Sequence, residues 1–442
     1  MTIRMDEGAA ELLDTLHRAG YAAYVVGGCV RDSLLGLTPH DWDLCTSALP
    51  QQVMELFGAQ RCIPTGLQHG TVTVKQSGAL YEITTFRTEG TYTDGRHPDE
   101  VHFVPDVRED LARRDLTINA MAYNEKEGLV DPFGGQADLQ SGIVRAVGVP
   151  RQRFTEDALR ILRLYRFAAR FGFAIDPPTA QAAQELCAHL DCVSVERIEE
   201  ELAKLLSAPA PAAYLDKKIL LVILPELSSE ALAAAKPVVD ACPAGERALP
   251  VRLAALLLSL GEDGIRRTLR RLRCSNACIE ETAVLVREVV SGVPGAFSSD
   301  TNRAIPSPAL LPAATGSHPS GRSSEKLPAR PPVSLNIYTR KLLGQYGLKT
   351  VQRLAALGTA LQPEHAADFA ALSELAEQLD ADGVCCRVSQ LAVNGRDLMA
   401  AGVPSGPGIR KVLEALLDGV IREEYPNERQ ALLTAVQQLA AS

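Results

Sequence analysis

Residues Tyr24–Thr46 read YVVGGCVRDSLLGLTPHDWDLCT. An apolar run rich in β formers, Tyr21–Val26, ends at Gly27-Gly28 and leads into a short predicted helix through Leu35. Nine residues after Asp32 comes Asp41-Trp42-Asp43, opening a second predicted strand element, Asp41–Leu44. Without side chains at Gly27 and Gly28, backbone N–H groups at the helix start can approach a triphosphate, and Arg31 adds a charged fork for it. Asp41 and Asp43 stand at i and i+2, which on a strand places both carboxylates on one face. Two hard oxygen ligands so close together suit Mg²⁺, which also takes phosphate oxygens. A glycine pair alone is a turn, and Asp-x-Asp alone is a solvated strand edge. In the order strand, turn, helix, carboxylates they read as a site.

Outward from this stretch, residues 7–19 carry apolar side chains at helical spacing, ended by Gly20. Pro50–Phe57 reads as helix, and Thr71–Lys75 and Leu80–Phe86 as alternating strands around Ser77-Gly78. Glu82 lies on the second of these; its neighbours Tyr81 and Ile83 face the other way, which makes it a candidate third carboxylate. Asp94–Pro98 reads as a mobile loop, and Val101–Val104 and Ala120–Tyr123 as further strand segments. Residues 1–150 are therefore mixed α/β.

Beyond about residue 150 the pattern turns to helix after helix. Thr155 reads as an N-cap with Glu156 and Asp157 in the first turn, and Arg160, Arg163 and Arg166 follow three apart. A rigid Asp157–Arg160 pair could offer donors and acceptors to a base edge as another base would. Ser194 reads as the cap of Val195–Leu206, and Leu253–Leu260, Ile265–Leu272 and Glu280–Val290 continue the series. The Pro-, Ser- and Gly-rich stretch 291–333 reads as a disordered insert, because it cannot bury enough apolar surface to offset its ordering entropy. Helices resume near Tyr338 and run to about Leu379, and a last unit contains the helix Ile409–Ile421.

The chain has 442 residues, 46% hydrophobic and 22% charged, too many for one core. Its net charge of −9 argues against indiscriminate nucleic-acid binding, though charge at a contact surface is what matters. Two basic blocks are candidates to grip RNA phosphates: Arg266, Arg267, Arg270 and Arg271 within IRRTLRRLRC, and Arg340 with Lys341. The ten cysteines form no C-x-x-C pair. Cys274 and Cys278 read as buried thiols on one helical face, and no zinc site is expected. Length and scattered cysteines point to a reducing cytoplasm, the acidic N-terminus does not read as a signal peptide, and the longest apolar runs, around Ile219–Leu224 and Leu253–Leu260, are far short of a membrane span.

The opening stretch resembles the first motif of class II CCA-adding enzymes and bacterial poly(A) polymerases, which are polymerase-β-like nucleotidyltransferases. EDLARRDLTINA (Glu109–Ala120) resembles the second motif, with Leu116 where Phe is usual. DPFGGQADL (Asp131–Leu139) with Arg145 matches the segment after it. EDALRILRLYRFAARFGF (Glu156–Phe173) matches the nucleotide-selecting helix, and SVERIEEELAKLL (Ser194–Leu206) the neck motif. The resemblance implies an α+β fold: a nucleotidyltransferase head (1–150), then an all-helical neck (151–215), body (216–380) and tail (381–442). It implies addition of CCA to tRNA from CTP and ATP, releasing pyrophosphate, with addition of A alone, a poly(A) polymerase or a silent RNA-binding adaptor as alternatives. In that scheme Asp41 and Asp43 hold Mg²⁺ and catalyse. Gly28, Arg31 and Arg114 hold the triphosphate, and Asp115 and Asn119 shape the pocket. Asp157 and Arg160 select the base, and Arg163 and Arg166 help hold the nucleotide. The loop Thr88–Phe103, with His97 where Arg is frequent, is the segment that full CCA addition needs.

Overall fold

The computed structural model describes residues 3–90, 101–291 and 334–441. The centre of Thr88–Phe103, with the Asp94–Pro98 loop and His97, lies outside the described residues, as does the 291–333 insert after Ser291. The chain divides into two compact units, residues 1–229 with 271–273, and 230–270 with 274–442.

The first unit is built on a seven-stranded sheet. Its strands are β1 (Ala23–Val26), β2 (Leu44–Thr46), β3 (Cys62–Gly66), β4 (Thr71–Gln76) and β5 (Ala79–Thr85), with β6 (Arg87–Glu89) and β7 (Val101–Phe103) forming a separate pair. β8 (Ala122–Asn124) and β9 (Gly128–Val130) complete it in the order β3-β4-β5-β2-β1-β8-β9. Neighbours are antiparallel except β2 and β5, which run parallel with Leu44 opposite Ile83. All four residues of β1 are buried, as a strand covered on both faces must be. Tyr24 and Val26 pack with Cys45, Phe86, Leu111 and Ala122 in one core cluster.

Helices flank the sheet: α1 (Glu7–Arg18), α2 (Gly28–Leu34), α3 (Pro50–Phe57), α4 (Val107–Ala112) and α5 (Gly135–Ser141). Asp6 caps α1 by accepting from the Gly8 and Ala9 amides. The unit ends in α6 (Pro150–Glu156), α7 (Leu159–Phe171), α8 (Pro177–Leu186), α9 (Val195–Leu206) and α10 (Lys217–Ile223). The second unit is helical, and its last residues form their own core of Leu391, Val393, Leu398, Leu416, Val420 and Leu432. The α+β head followed by helices is thus as expected.

Four local readings are corrected. Asp41 and Asp43 precede β2 in extended chain and are not within it. Thr155 is no N-cap: it lies in the last turn of α6, its hydroxyl donating to the Arg151 carbonyl at 2.8 Å. The sequence runs on helically, but Asp157 sits in extended backbone between α6 and α7. Cys274 lies in the turn before the helix Asn276–Val290 that carries Cys278, so the two do not share a helical face, and both are half-buried. Edge strand β3 was not expected because Pro64 weakens its strand signal; Pro is tolerated at an edge, where β3 lies.

α5 approaches the turn Thr117–Asn119 closely. A Cβ on Gly135 would lie 2.2 Å from the Thr117 carbonyl oxygen, a backbone atom with little freedom to move. Gly135→Ala is expected to cost about 1–3 kcal/mol through overpacking, read as a lower urea midpoint for the first unit.

Candidate active site

The β1–β2 pairing brings the glycine turn and the aspartates together. The Val26 amide donates to the Asp43 carbonyl at 2.9 Å, one residue before Gly27. Gly27 has φ 77°, a conformation that favours glycine, and its amide donates to the Met121 carbonyl at 3.0 Å. A Cβ there would meet the Arg114 guanidinium at 2.8 Å, so Arg114 lies directly against the turn. Arg114 is steadied by the Asn119 carbonyl at 3.4 Å and by Asp110 at 3.6 Å.

Asp41 and Asp43 are exposed, with half-buried Trp42 between them. Extending the Leu44–Ile83 register back by one residue sets Asp43 beside Glu82, which is also exposed. Neither aspartate side chain has a hydrogen-bond or ion-pair partner among the described residues. Partial burial, then the charges of Glu82 and Asp41, push the Asp43 carboxyl above its usual value, against the pull of Arg114. Partnerless carboxylates that repel one another are a donor set that fits a hard divalent cation. Glu82, on the neighbouring strand, acts on Asp43 through its charge.

The other expected residues are placed differently from one another. Gly28 opens α2. Arg31 presents no free fork. It is buried, donating to Asp32 at 2.7 Å and to Asn119 at 2.5 Å, with its guanidinium 5.0 Å from the Phe167 ring centre and 5.1 Å from that of Phe171. The side chains of Asp157 and Arg160 do not pair with each other; only the Arg160 amide donates to the Asp157 carbonyl, at 3.1 Å. Asp157 accepts from Arg197 at 2.7 Å and caps α7 through the Leu159 amide at 3.0 Å. Arg160 bonds Glu156 at 2.7 Å and the Arg113 carbonyl at 3.1 Å. Each is held rigid by a third group, and Arg160 is 9% exposed. Arg163 bonds Asp115 at 2.7 Å, and Arg166 approaches Glu201 at 2.6 Å.

Arg197, Glu201 and Asp110 were not anticipated. Arg197 and Glu201 stand four apart on α9, a spacing that puts both on one face, here toward α7. Asp110, fully buried, accepts from Arg113 at 2.8 Å and from the Arg87 amide at 3.2 Å. Next to Glu109 in the first turn of a short helix, Asp110 carried too little signal to be read as the anchor of Arg113 and Arg114.

Of the basic candidates for RNA, four are committed to acids. Arg266 bonds Glu262 at 2.9 Å, Arg271 bonds Glu226 at 2.7 Å, Arg340 lies 3.3 Å from Glu423, and Lys341 lies 2.8 Å from Asp418. Arg267 and Arg270 are exposed and have no hydrogen-bond or ion-pair partner among the described residues.

A sheet of this order with a glycine turn, an Asp-x-Asp pair and an Arg-rich helix defines a nucleotidyltransferase of the poly(A)-polymerase class. Residues 23–145 match the family model of the poly A polymerase head domain. Residues 172–230 match a probable RNA- and SrmB-binding site of polymerase A, and 336–436 a putative tRNA nucleotidyltransferase domain 2. The CCA-adding enzyme of Limosilactobacillus fermentum is 36% identical over 438 residues, covering 98% of this chain and 97% of its own. That of Geobacillus kaustophilus is 34% identical, covering 96% and 95%. The crystal structure of Bacillus stearothermophilus CCA-adding enzyme in complex with CTP aligns with a TM-score of 0.77 at 29% identity, over 99% of this chain and 98% of that one. The chain belongs to the family of CCA-adding enzymes. No helix among the described residues is long and apolar enough to cross a membrane.

Asp115 is the charged centre of this site's inner wall. Burial pushes its carboxyl up, but Arg163, Asn119 and Arg160 together outweigh burial and bring it from 3.8 down to about 2. A depressed carboxylate stabilises the fold above its unfolded value and loses that contribution as pH falls through the folded one. Asp115→Asn is expected to cost about 2 kcal/mol at pH 7. The gap from the parent protein should close between about pH 4 and pH 2 in acid-unfolding curves.

Proposed function

We propose that this chain adds C, C and A to the 3′ end of tRNA from CTP and ATP, without a template strand. The observation that carries this reading is the pair of partnerless carboxylates, Asp41 and Asp43, set beside the Gly27 turn by the β1–β2 pairing. Asp41 and Asp43 would hold divalent metal, with all-oxygen donors that suit Mg²⁺ in particular. Metal bound there would lower the pKa of the attacking hydroxyl and offset charge on the phosphates.

The chain's own groups do the positioning. Arg114, lying against Gly27, steers the triphosphate, and the start of α2 at Gly28 gives backbone amides room to meet it. Asp157 and Arg160 present their edges to the incoming base, fixed by Arg197 and Glu156. Arg163 and Arg166 back this wall through Asp115 and Glu201. The tRNA 3′-hydroxyl attacks the α-phosphate in line and pyrophosphate leaves. Arg31, whose guanidinium lies 3.7 Å from where a Cβ on Gly28 would be, adds its charge on the triphosphate's side of the turn. The head, neck, body and tail boundaries at 150, 215 and 380 are part of this reading, with tRNA held along Arg267 and Arg270.

The test is nucleotide incorporation into tRNA transcripts ending before CCA, after C and after CC, with CTP and ATP alone and together. Stepwise completion that stops at CCA and is abolished by EDTA is expected. An open-ended A tail, or A addition only, overturns the CCA assignment, and no incorporation overturns the enzyme reading. Asp43→Ala should lower kcat by about 10³-fold, the rate equivalent of several kcal/mol of lost charge stabilisation. Arg160→Ala should blur the choice between C and A. For tRNA binding, the double change Arg267→Ala and Arg270→Ala should flatten the slope of log K against log salt by about 1–2.

A further inference from the structure

Helix α7 touches the head along a closed circuit of side chains. Arg170 donates to Oδ2 of Asp32 at 3.2 Å, and Arg31 donates to Oδ1 of Asp32 at 2.7 Å. Arg31 reaches on to the Asn119 side-chain oxygen at 2.5 Å. The Asn119 amide donates to Oδ1 of Asp115 at 3.3 Å, and Oδ2 of Asp115 accepts from Arg163 at 2.7 Å. The circuit thus leaves α7 at Arg170 and returns to it at Arg163, seven residues earlier on nearly the same face. Phe167 lies between them in sequence, and the Arg31 guanidinium sits over both its ring and that of Phe171. Arg31, Asp32, Asp115, Asn119 and Phe167 are each under 10% exposed.

Each carboxylate divides its two oxygens between the two sides of the circuit. Neither Asp32 nor Asp115 can be removed without opening it. Buried charges in such a ring are costly unless every partner is in place, so the closed arrangement is strongly favoured over a slipped one.

We infer that Arg31, Asp32, Phe167 and Arg170 are positioning residues: they lock the height of α7 against α2, and so set the base-selecting end of α7 relative to Asp41 and Asp43. α2 starts one residue after Gly27, and Val26 before it is hydrogen-bonded to Asp43. α7 starts two residues after Asp157 and carries Arg160 in its first turn. A helix transmits displacement along its axis almost rigidly. A shift at residues 163–170 therefore moves the base-reading groups relative to the metal-bearing segment. This inference rests on the proposed function, because it assigns a role within that reaction.

The test uses full-length Arg170→Ala and Phe167→Leu on a tRNA ending in CC. Arg170 is half-exposed, so its removal leaves the core filled, and Leu keeps position 167 apolar. Both variants are expected to lose on the order of 10-fold or more in kcat/KM for ATP, as small misplacements of bound substrate do. They should also lose on the order of 10-fold in the preference for ATP over CTP, since the base-reading groups are displaced. Arg170→Lys should restore most of both. A merely structural role lowers activity in proportion to the folded fraction, measured by circular dichroism and active-site titration, and leaves the preference unchanged. That outcome overturns the lock while the proposed function stands. Parent protein that adds no nucleotide overturns the function and the lock with it.

Discussion

The antiparallel pairing of Ala23–Val26 with Leu44–Thr46 is the constraint on which the site depends. One hydrogen bond at its open end, from the Val26 amide to the Asp43 carbonyl, fixes where the glycine turn and the aspartates meet. A slip of one residue would turn every side chain of β2 to the opposite face and bury Asp43 where Leu44 now packs. Burial on both faces of β1 makes such a slip prohibitive. The apolar core thus specifies the site's geometry, although none of its residues takes part in the chemistry.

The same logic governs the arginines of α7. A helix with so many like charges repels itself unless each finds a partner. Asp115, Asp32 and Glu201 supply that charge from the head and from α9, and Phe167 supplies a π face. Partnering orders the guanidinium groups before any nucleotide arrives. Preorganised donors need not be rearranged during reaction, which is where much of the benefit of electrostatic catalysis lies.

What the sequence revealed and what it hid follows from this. The strand, turn and paired aspartates were legible because they lie within a short stretch and obey local rules of periodicity and steric freedom. The helical character beyond residue 150 was legible from composition. The burial of Arg31 was not legible, because the residues that surround it, Asn119, Phe167 and Phe171, come from segments far along the chain. Asp157 was placed on a helix because its charge suits a first turn. In the structure that same preference is met one step differently, with Asp157 capping α7 from outside through the Leu159 amide. Local propensity identified the residue and tertiary contacts decided its role.

Charge shows the contrast most clearly. A chain with net charge −9 has no excess of basic surface to spend on indiscriminate contact with RNA. The arginine-rich run at 265–274 looks like such an excess in sequence, yet Arg266, Arg271 and Arg273 are each drawn into pairs with glutamates. Those pairs neutralise the field that would attract any polyanion. Arg267 and Arg270 stand three apart on one helix and keep their charge facing solvent. In the proposed tRNA contact, two such cations would position a phosphate backbone without binding every one they meet. For a protein that must hold one RNA end and release it, sparing use of charge is the more suitable arrangement.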